Sequence, residues 1–203
     1  SFKEIQNRYF EIKLQPSSFS LDDVVVSATK WRQSNKEIPG KISSITAKDV
    51  VLSNPQTTAD LLASSGEVFI QKSQQGGGSP MIRGFSTNRL LYTVDGVRMN
   101  TAIFRSGNIQ NVISLDAFAA ESTEIMFGPG SVIYGSDAIG GVMSFTTLTP
   151  QFSSTGKLYA KGNALTRFAS ANNELSAHVD INLGWKKLAT ITSFTYSNFG
   201  DLK

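Results

Sequence analysis

The chain has 203 residues, a formal net charge of +3, 40% hydrophobic and 17% charged content, and no cysteine. That is enough apolar material for one or two folded domains. The basic residues are scattered, which excludes an electrostatic case for nucleic acid, and the lack of Cys excludes a disulfide scaffold and a thiolate metal site.

Arg8 to Gln15 alternate apolar and polar side chains, predicting a half-buried strand ended by Pro16. Asp22 to Ala28 places three β-branched residues behind two carboxylates and favours an extended chain. Ile42 to Ile45 reads as strand, and Thr46 with Asp49 three residues on is an N-cap opening a short helix. Thr57 or Thr58 caps a second helix over Ala59 to Ala63, which Gly66 is placed to end in the left-handed conformation. Val68 to Gln71 returns to strand, and the glycine-rich Gln74 to Pro80 predicts a loop leading into Met81-Ile-Arg-Gly-Phe85.

Arg89 to Val94 and Val97 to Met99 flank Asp95-Gly96, the sequence of a two-residue hairpin. Ser114 to Ala120 predicts a helical turn or two. Glu124 to Thr147 reads as a strand, a glycine-broken turn and a second strand, with glycines where backbones approach closely or φ turns positive.

After Pro150 the texture changes. Leu158, Ala160, Gly162, Ala164 and Phe168 alternate with Tyr159, Lys161, Asn163 and Arg167. Leu175, Ala177, Val179, Ile181 and Leu183 alternate with Glu174, Ser176, His178, Asp180 and Asn182. Strands of about ten residues with one apolar and one polar face, joined by short turns, are what a transmembrane β-barrel requires. A third follows from Leu188 to Asn198, with blurred alternation. Three strands cannot close a barrel, so the chain is expected to be a fragment. No run reaches the roughly 18 apolar residues of a spanning helix, and Ser1 to Gln6 lack a signal-peptide core, so Ser1 is not expected to be the start of the gene product.

Catalysis has no visible seat. One His allows no Ser/His/Asp arrangement, and the glycines match neither a dinucleotide fingerprint nor a phosphate loop. His178 lies on the polar face of a predicted strand and reads as a lumen-facing polar residue rather than a metal or haem ligand. No metal site and no cofactor are expected.

Four elements, Asp22 to Ala28, Ile82 to Phe85, Val94 to Arg98 and Glu124 to Val142, resemble in order and spacing the plug of TonB-dependent outer-membrane receptors. The wording from Gln71 to Ser79 and on to Arg105-Ser-Gly107 is most similar to receptors of the Bacteroidetes type, some of which serve haem or iron complexes. The resemblance implies an α+β plug domain, a small mixed sheet with short helices, followed by the first antiparallel strands of a plugged, roughly 22-stranded transmembrane barrel. It divides the chain into the end of a carboxypeptidase-regulatory-like domain at 1–16, the TonB box and linker at 17–37, the plug at 38–150 and about three barrel strands at 151–203. The implied function is active import of a scarce nutrient, an iron complex or haem, across the cell outer membrane, with the N-terminus periplasmic. The alternative is a soluble binding or signalling module that keeps a plug-like fold without a barrel.

Site assignments follow from that resemblance. Asp22, Asp23, Val24, Val25, Val26, Ser27 and Ala28 match the box that pairs with TonB by strand addition. Arg83 is either a ligand contact or a structural ion-pair partner between plug and barrel. Asn100, Thr101, Phe104 and Arg105 fall in the next apical region and are ligand-contact candidates, against the reading that they are ordinary loop residues. Arg83, Arg89, Glu124, Phe127, Gly128, Pro129, Gly130, Tyr134, Gly135, Gly140 and Gly141 are the expected plug–barrel structural set. Phe127 departs from the family, which usually has an Arg there. Outer-membrane lipid and a surface lipoprotein complete the partners that the resemblance allows.

Overall fold

A computed structural model describes residues 24–25, 33–34, 40–72, 78–86, 89–99, 115–128 and 130–200. Near the N-terminus β1 (Val24–Val25) pairs antiparallel with β2 (Gln33–Ser34). The predicted strand at Arg8 to Gln15 lies outside the described residues.

A five-stranded mixed sheet follows, in the order β3 (Ile42–Thr46), β8 (Ala120–Phe127), β9 (Gly141–Thr147), β6 (Leu90–Val94) and β7 (Val97–Arg98). Its β6–β9 pair is parallel and its other pairs are antiparallel. Strand alternation buries apolar side chains on both faces: Leu90, Tyr92, Ile125, Met143 and Phe145 on one, Leu91, Met126 and Val142 on the other. A sheet covered on both sides reads as continuous apolar runs, as Leu90-Leu-Tyr92 does. The larger cluster also takes in Leu61 and Leu62 from α2 (Thr58–Ser64) and Val50 from α1 (Ala47–Ser53).

Both helices begin where the capping residues predict. Thr46 and Asp49 form a reciprocal capping box, with Thr46 N donating to Asp49 Oδ2 at 2.8 Å and Asp49 N to Thr46 Oγ1 at 3.4 Å. Bonds from the Thr46 side chain and backbone hold the Asp49 carboxyl below its ordinary range. Its contribution is therefore complete at neutral pH and is lost as pH falls through that lowered value. Thr57 caps α2, and Gly66 beyond its end has φ +71.

The hairpin between β6 and β7 is the two-residue turn that its sequence predicts, with φ +49 at Asp95 and +79 at Gly96. Asp95 does a second job: its carboxylate accepts from Thr147 N at 2.9 Å and Thr147 Oγ1 at 2.7 Å, tying the turn to the end of β9.

Two local expectations are corrected. The glycine-rich stretch before Met81 is not loop throughout, because β5 (Ser79–Met81) pairs antiparallel with β4 (Phe69–Gln71). The glycine-broken turn of the closing motif contains a one-turn helix, α3 (Ser131–Tyr134). Close approach then fixes Gly140, where an added Cβ would lie 2.4 Å from Phe85 Cβ and 2.6 Å from its Cγ. Gly140→Ala is expected to cost about 1–3 kcal/mol, since the atoms it meets sit at the root of the Phe85 side chain. Its denaturation midpoint in urea checks this.

The last three strands, β10 (Tyr159–Ala169), β11 (Glu174–Gly184) and β12 (Ala189–Asn198), form an antiparallel sheet of their own. On β11 the burial is inverted relative to a soluble protein. Glu174, Ser176, His178, Asp180 and Asn182 are buried, whereas Leu175, Val179 and Ile181 are exposed. Phe168 and Phe194 extend that exposed apolar face onto its neighbours. The linker is clamped to the sheet by Gln151, whose N–H donates to Asn182 Oδ1 at 2.8 Å and whose carbonyl accepts from Asn182 Nδ2 at 3.2 Å.

Candidate functional site

Phe127 ends β8 inside the larger core, 7% exposed. Two cations flank its ring, Lys41 Nζ at 5.4 Å and Arg83 Cζ at 5.5 Å from the centroid. Local backbone geometry presents Arg83. Ile82 and Phe85 exchange both backbone hydrogen bonds across Arg83 and Gly84, whose φ values are +50 and +83. This two-residue turn resembles a hairpin turn and leaves the Arg83 side chain exposed at its tip. Lys41 also ion-pairs with Glu67.

Behind Phe127 the closing motif folds onto itself. Glu124 is buried in β8, and burial and then the Glu124 charge push the Tyr134 hydroxyl above its ordinary range. Gly130 and Gly141 stand where a Cβ would come within 2.8 Å of Val142 Cγ2 and 2.7 Å of Met126 O. Gly128 and Gly135 flank α3, and the Gly140 N–H donates to the carbonyl of Arg89. An exposed Arg98–Asp137 ion pair joins the hairpin to the segment after α3.

A second cluster joins the two parts of the chain. Asp116 caps a 3-10 turn at Ala117–Ala119, its Oδ1 accepting from Phe118 N at 3.0 Å. Its Oδ2 accepts from the Thr195 hydroxyl of β12. That hydroxyl has one proton and spends it on Asp116, so the 2.6 Å contact between His178 Nδ1 and Thr195 Oγ1 needs the proton on Nδ1. His178 Nδ1 lies 3.4 Å from Asp116 Oδ2, and Nε2 lies 3.6 Å from Asp180 Oδ2. The Phe118 ring packs 5.3 Å from the imidazole. Asp180 accepts from Asn163 Nδ2 with both oxygens at 3.0 Å, and Arg167 lies 3.3 Å from Glu174.

Three cavities follow this seam. One of about 310 Å³ is lined by Asp116, Phe118, Arg167, Ser176 and Thr195. The next, about 600 Å³, shares Phe118 and adds His178, Asp180 and Lys161. A third, about 410 Å³, continues past Lys161 and Asp180 to Asn182 and Gln151.

Of the residues expected from sequence, Arg83 and Phe127 come together. Arg89, Glu124, Tyr134 and the closing-motif glycines from Gly128 to Gly141 gather around the same motif. Asn100, Thr101, Phe104, Arg105 and Pro129 lie outside the described residues, as do Asp22, Asp23, Val26, Ser27 and Ala28. His178 does lie on the polar face of its strand, but it is buried against the preceding unit rather than open. Asp116, Thr195 and Asn163 were not singled out from sequence. The register of β10, β11 and β12, which sets Asn163 opposite Asp180 and Thr195 opposite His178, is the signal that locates the last two.

The family model described as "TonB-dependent Receptor Plug Domain" matches residues 34–142. The chain is 36% identical over 130 residues to the vitamin B12 transporter BtuB of Vibrio vulnificus (strain YJ016), covering 63% of this chain and 21% of that protein. It is 31% identical over 130 residues to the hemin receptor of Yersinia pestis, covering 64% and 19%. The chain thus spans about a fifth of the length of these curated relatives. Among solved structures, the copper transporter OprC superposes with a TM-score of 0.65 at 20% identity, covering 79% of this chain and 24% of that one. The alcaligin outer membrane receptor FauA from Bordetella pertussis gives 0.64 at 18%, covering 86% and 29%. At these identities the structures share the fold: a plug of mixed sheet and short helices, followed by antiparallel barrel strands. The chain belongs to the TonB-dependent receptor plug domain family.

Proposed function

We propose that this chain supplies the plug and first barrel strands of an outer-membrane transporter that imports a scarce nutrient and couples to TonB through Asp22 to Ala28. The observation that carries the reading is the inverted burial of β11, whose polar face lies against the plug while Leu175, Val179 and Ile181 stay exposed. Water-filled or plug-filled lumen on one side and lipid on the other require that arrangement. A soluble module would leave Phe168, Leu175, Ile181 and Phe194 as an apolar patch in water, which disfavours that alternative.

The substrate is a haem or iron complex in this reading. The name of one relative, a hemin receptor, and those of two structural neighbours, an alcaligin receptor and a pyoverdine receptor, support the class, and BtuB keeps vitamin B12 as the comparison. Arg83, held on the Phe127 ring, serves either as an anion contact or as a partner for a barrel carboxylate. Asn100, Thr101, Phe104 and Arg105 are the further ligand-contact candidates. Arg89, Glu124, Phe127, Tyr134 and the glycines from Gly128 to Gly141 form the structural set, and a surface lipoprotein remains a partner to seek.

Deletion of Asp22 to Ala28 in the full-length receptor is expected to reduce haemin- or ferric-siderophore-supported growth to background while leaving binding of the same compound to outer membranes unchanged. Growth on cobalamin as the sole rescued nutrient would redirect the substrate assignment. Unchanged uptake by the deletion would remove the coupling role of that segment.

A further inference from the structure

We propose that the seam between the plug's 3-10 turn and the inner face of β10–β12 is a path for hydrophilic solute past the plug, and that Asp116, Thr195 and His178 form its gate. This rests on the reading that the plug fills a closed barrel. Three cavities run in order along the inner face of the strands, from Arg167 and Ser176 near the turn at Ala171 to Asn182 and Gln151 near the turn at Lys186. Asp116 and Thr195 line the first and His178 lines the second, with Phe118 common to both. The hydrogen-bonded cluster therefore stands at the junction where the first cavity would otherwise run into the second.

Both walls carry polar groups. Lys161, Asn163, His178, Asp180 and Asn182 line the strand side, and on the plug side Lys48, Glu121 and Thr149 stand among the apolar Val50, Phe118, Ala120 and Leu148. A solute moving along this seam therefore keeps hydrogen-bonding partners within reach on both walls. Among the described residues the gate ties the two walls where the first two cavities meet, Thr195 to Asp116 directly and His178 through Thr195, while the Gln151–Asn182 bonds hold the far end of the seam. Among the described residues His178 Nε2 is buried without a hydrogen-bond partner, 3.6 Å from Asp180 Oδ2. A buried imidazole nitrogen left so is costly when closed and is relieved when water enters, so the cluster is set to open rather than built for permanence.

The full-length receptor, reconstituted in a planar bilayer in potassium chloride, tests this without knowledge of the substrate. Asp116→Ala and Thr195→Ala are each expected to raise the mean ionic conductance about tenfold over the parent, as loss of a charge-assisted hydrogen bond shifts the closed population toward open. This chain contributes no cysteine, so Asp116→Cys with Thr195→Cys, in a receptor from which any cysteine outside this chain has been removed, then serves as a reversible tether. Oxidised, the pair is expected to conduct no more than the parent, and reduction is expected to open it. A receptor lacking residues 1–148 must conduct strongly if a barrel surrounds the plug. If it does not, the transporter reading fails. If it does, but the single variants conduct like the parent and the tether changes nothing on reduction, the gate is refuted. Heat-modifiable migration on gels confirms that each variant has folded.

Discussion

Phe145→Ala is expected to destabilise the plug by about 3–5 kcal/mol, since a fully buried aromatic ring is lost and the cavity it leaves cannot collapse between paired strands. Phe145 is 0% exposed on β9 and stacks on Tyr92 of β6, with centroids 4.9 Å apart and planes tilted by 55°. The pair spans the parallel β6–β9 contact inside the sheet, so the loss falls on a pairing between strands far apart in sequence. Urea unfolding in detergent reads the loss as a fall in midpoint. A second readout separates a cavity from general disorder. Burial pushes the Tyr92 hydroxyl far up, and water reaching the cavity should bring its spectroscopic titration down toward the ordinary tyrosine range. A stability loss under about 1 kcal/mol with an unmoved Tyr92 would show that the neighbours repack.

Phe127→Arg introduces the residue that the family resemblance leads one to expect at this position, and here it is expected to harm. The new guanidinium would arrive between Lys41 and Arg83, whose cationic groups already lie 5.4 and 5.5 Å from the ring centroid. It would be buried at a position that is 7% exposed. Like-charge repulsion and desolvation together should cost about 3 kcal/mol or more, and raising salt should recover part of it because the flanking cations reach solvent. Phe127→Leu keeps the burial and loses only the ring, so it should cost about 1–2 kcal/mol and respond little to salt. Equal salt responses of the two variants would remove the two-cation account of this site.

Much of this fold was legible where the determining interactions are local. Thr46 with Asp49, Thr57, and Asp95-Gly96 each carry their conformation in side chains or φ preferences within four residues, and each lies where it was expected. The period-two alternation from Leu158 to Leu183 marks two strands of the right length for the same reason, and the third, at Leu188 to Asn198, forms despite a blurred alternation. What could not be read was set by partners distant in sequence. Ser79-Pro-Met81 becomes a strand because Phe69 to Gln71 offers it an edge. The one-turn helix at Ser131 forms between glycines whose sequence signals only a turn. Asp116 looked like an ordinary residue before a short helix; its role appears only when Thr195, 79 residues away, is set beside it. Phe127 was recognisable as an exception, but the two cations that face it come from segments more than forty residues away.

The strand order also sets a sequence of mechanical failure. β3 is the first strand of the five-stranded sheet met from the N-terminal side and lies at its edge, held by β8 alone over the five pairs from Ile42 to Thr46. Tension applied from the N-terminus reaches this strand before any other in that sheet. The inner strands β8, β9 and β6 are each paired on both sides, and the Asp95–Thr147 contacts hold the far end. Such a body under load loses its outermost strand while the remainder stays whole, so its compliance is concentrated in one short, replaceable seam.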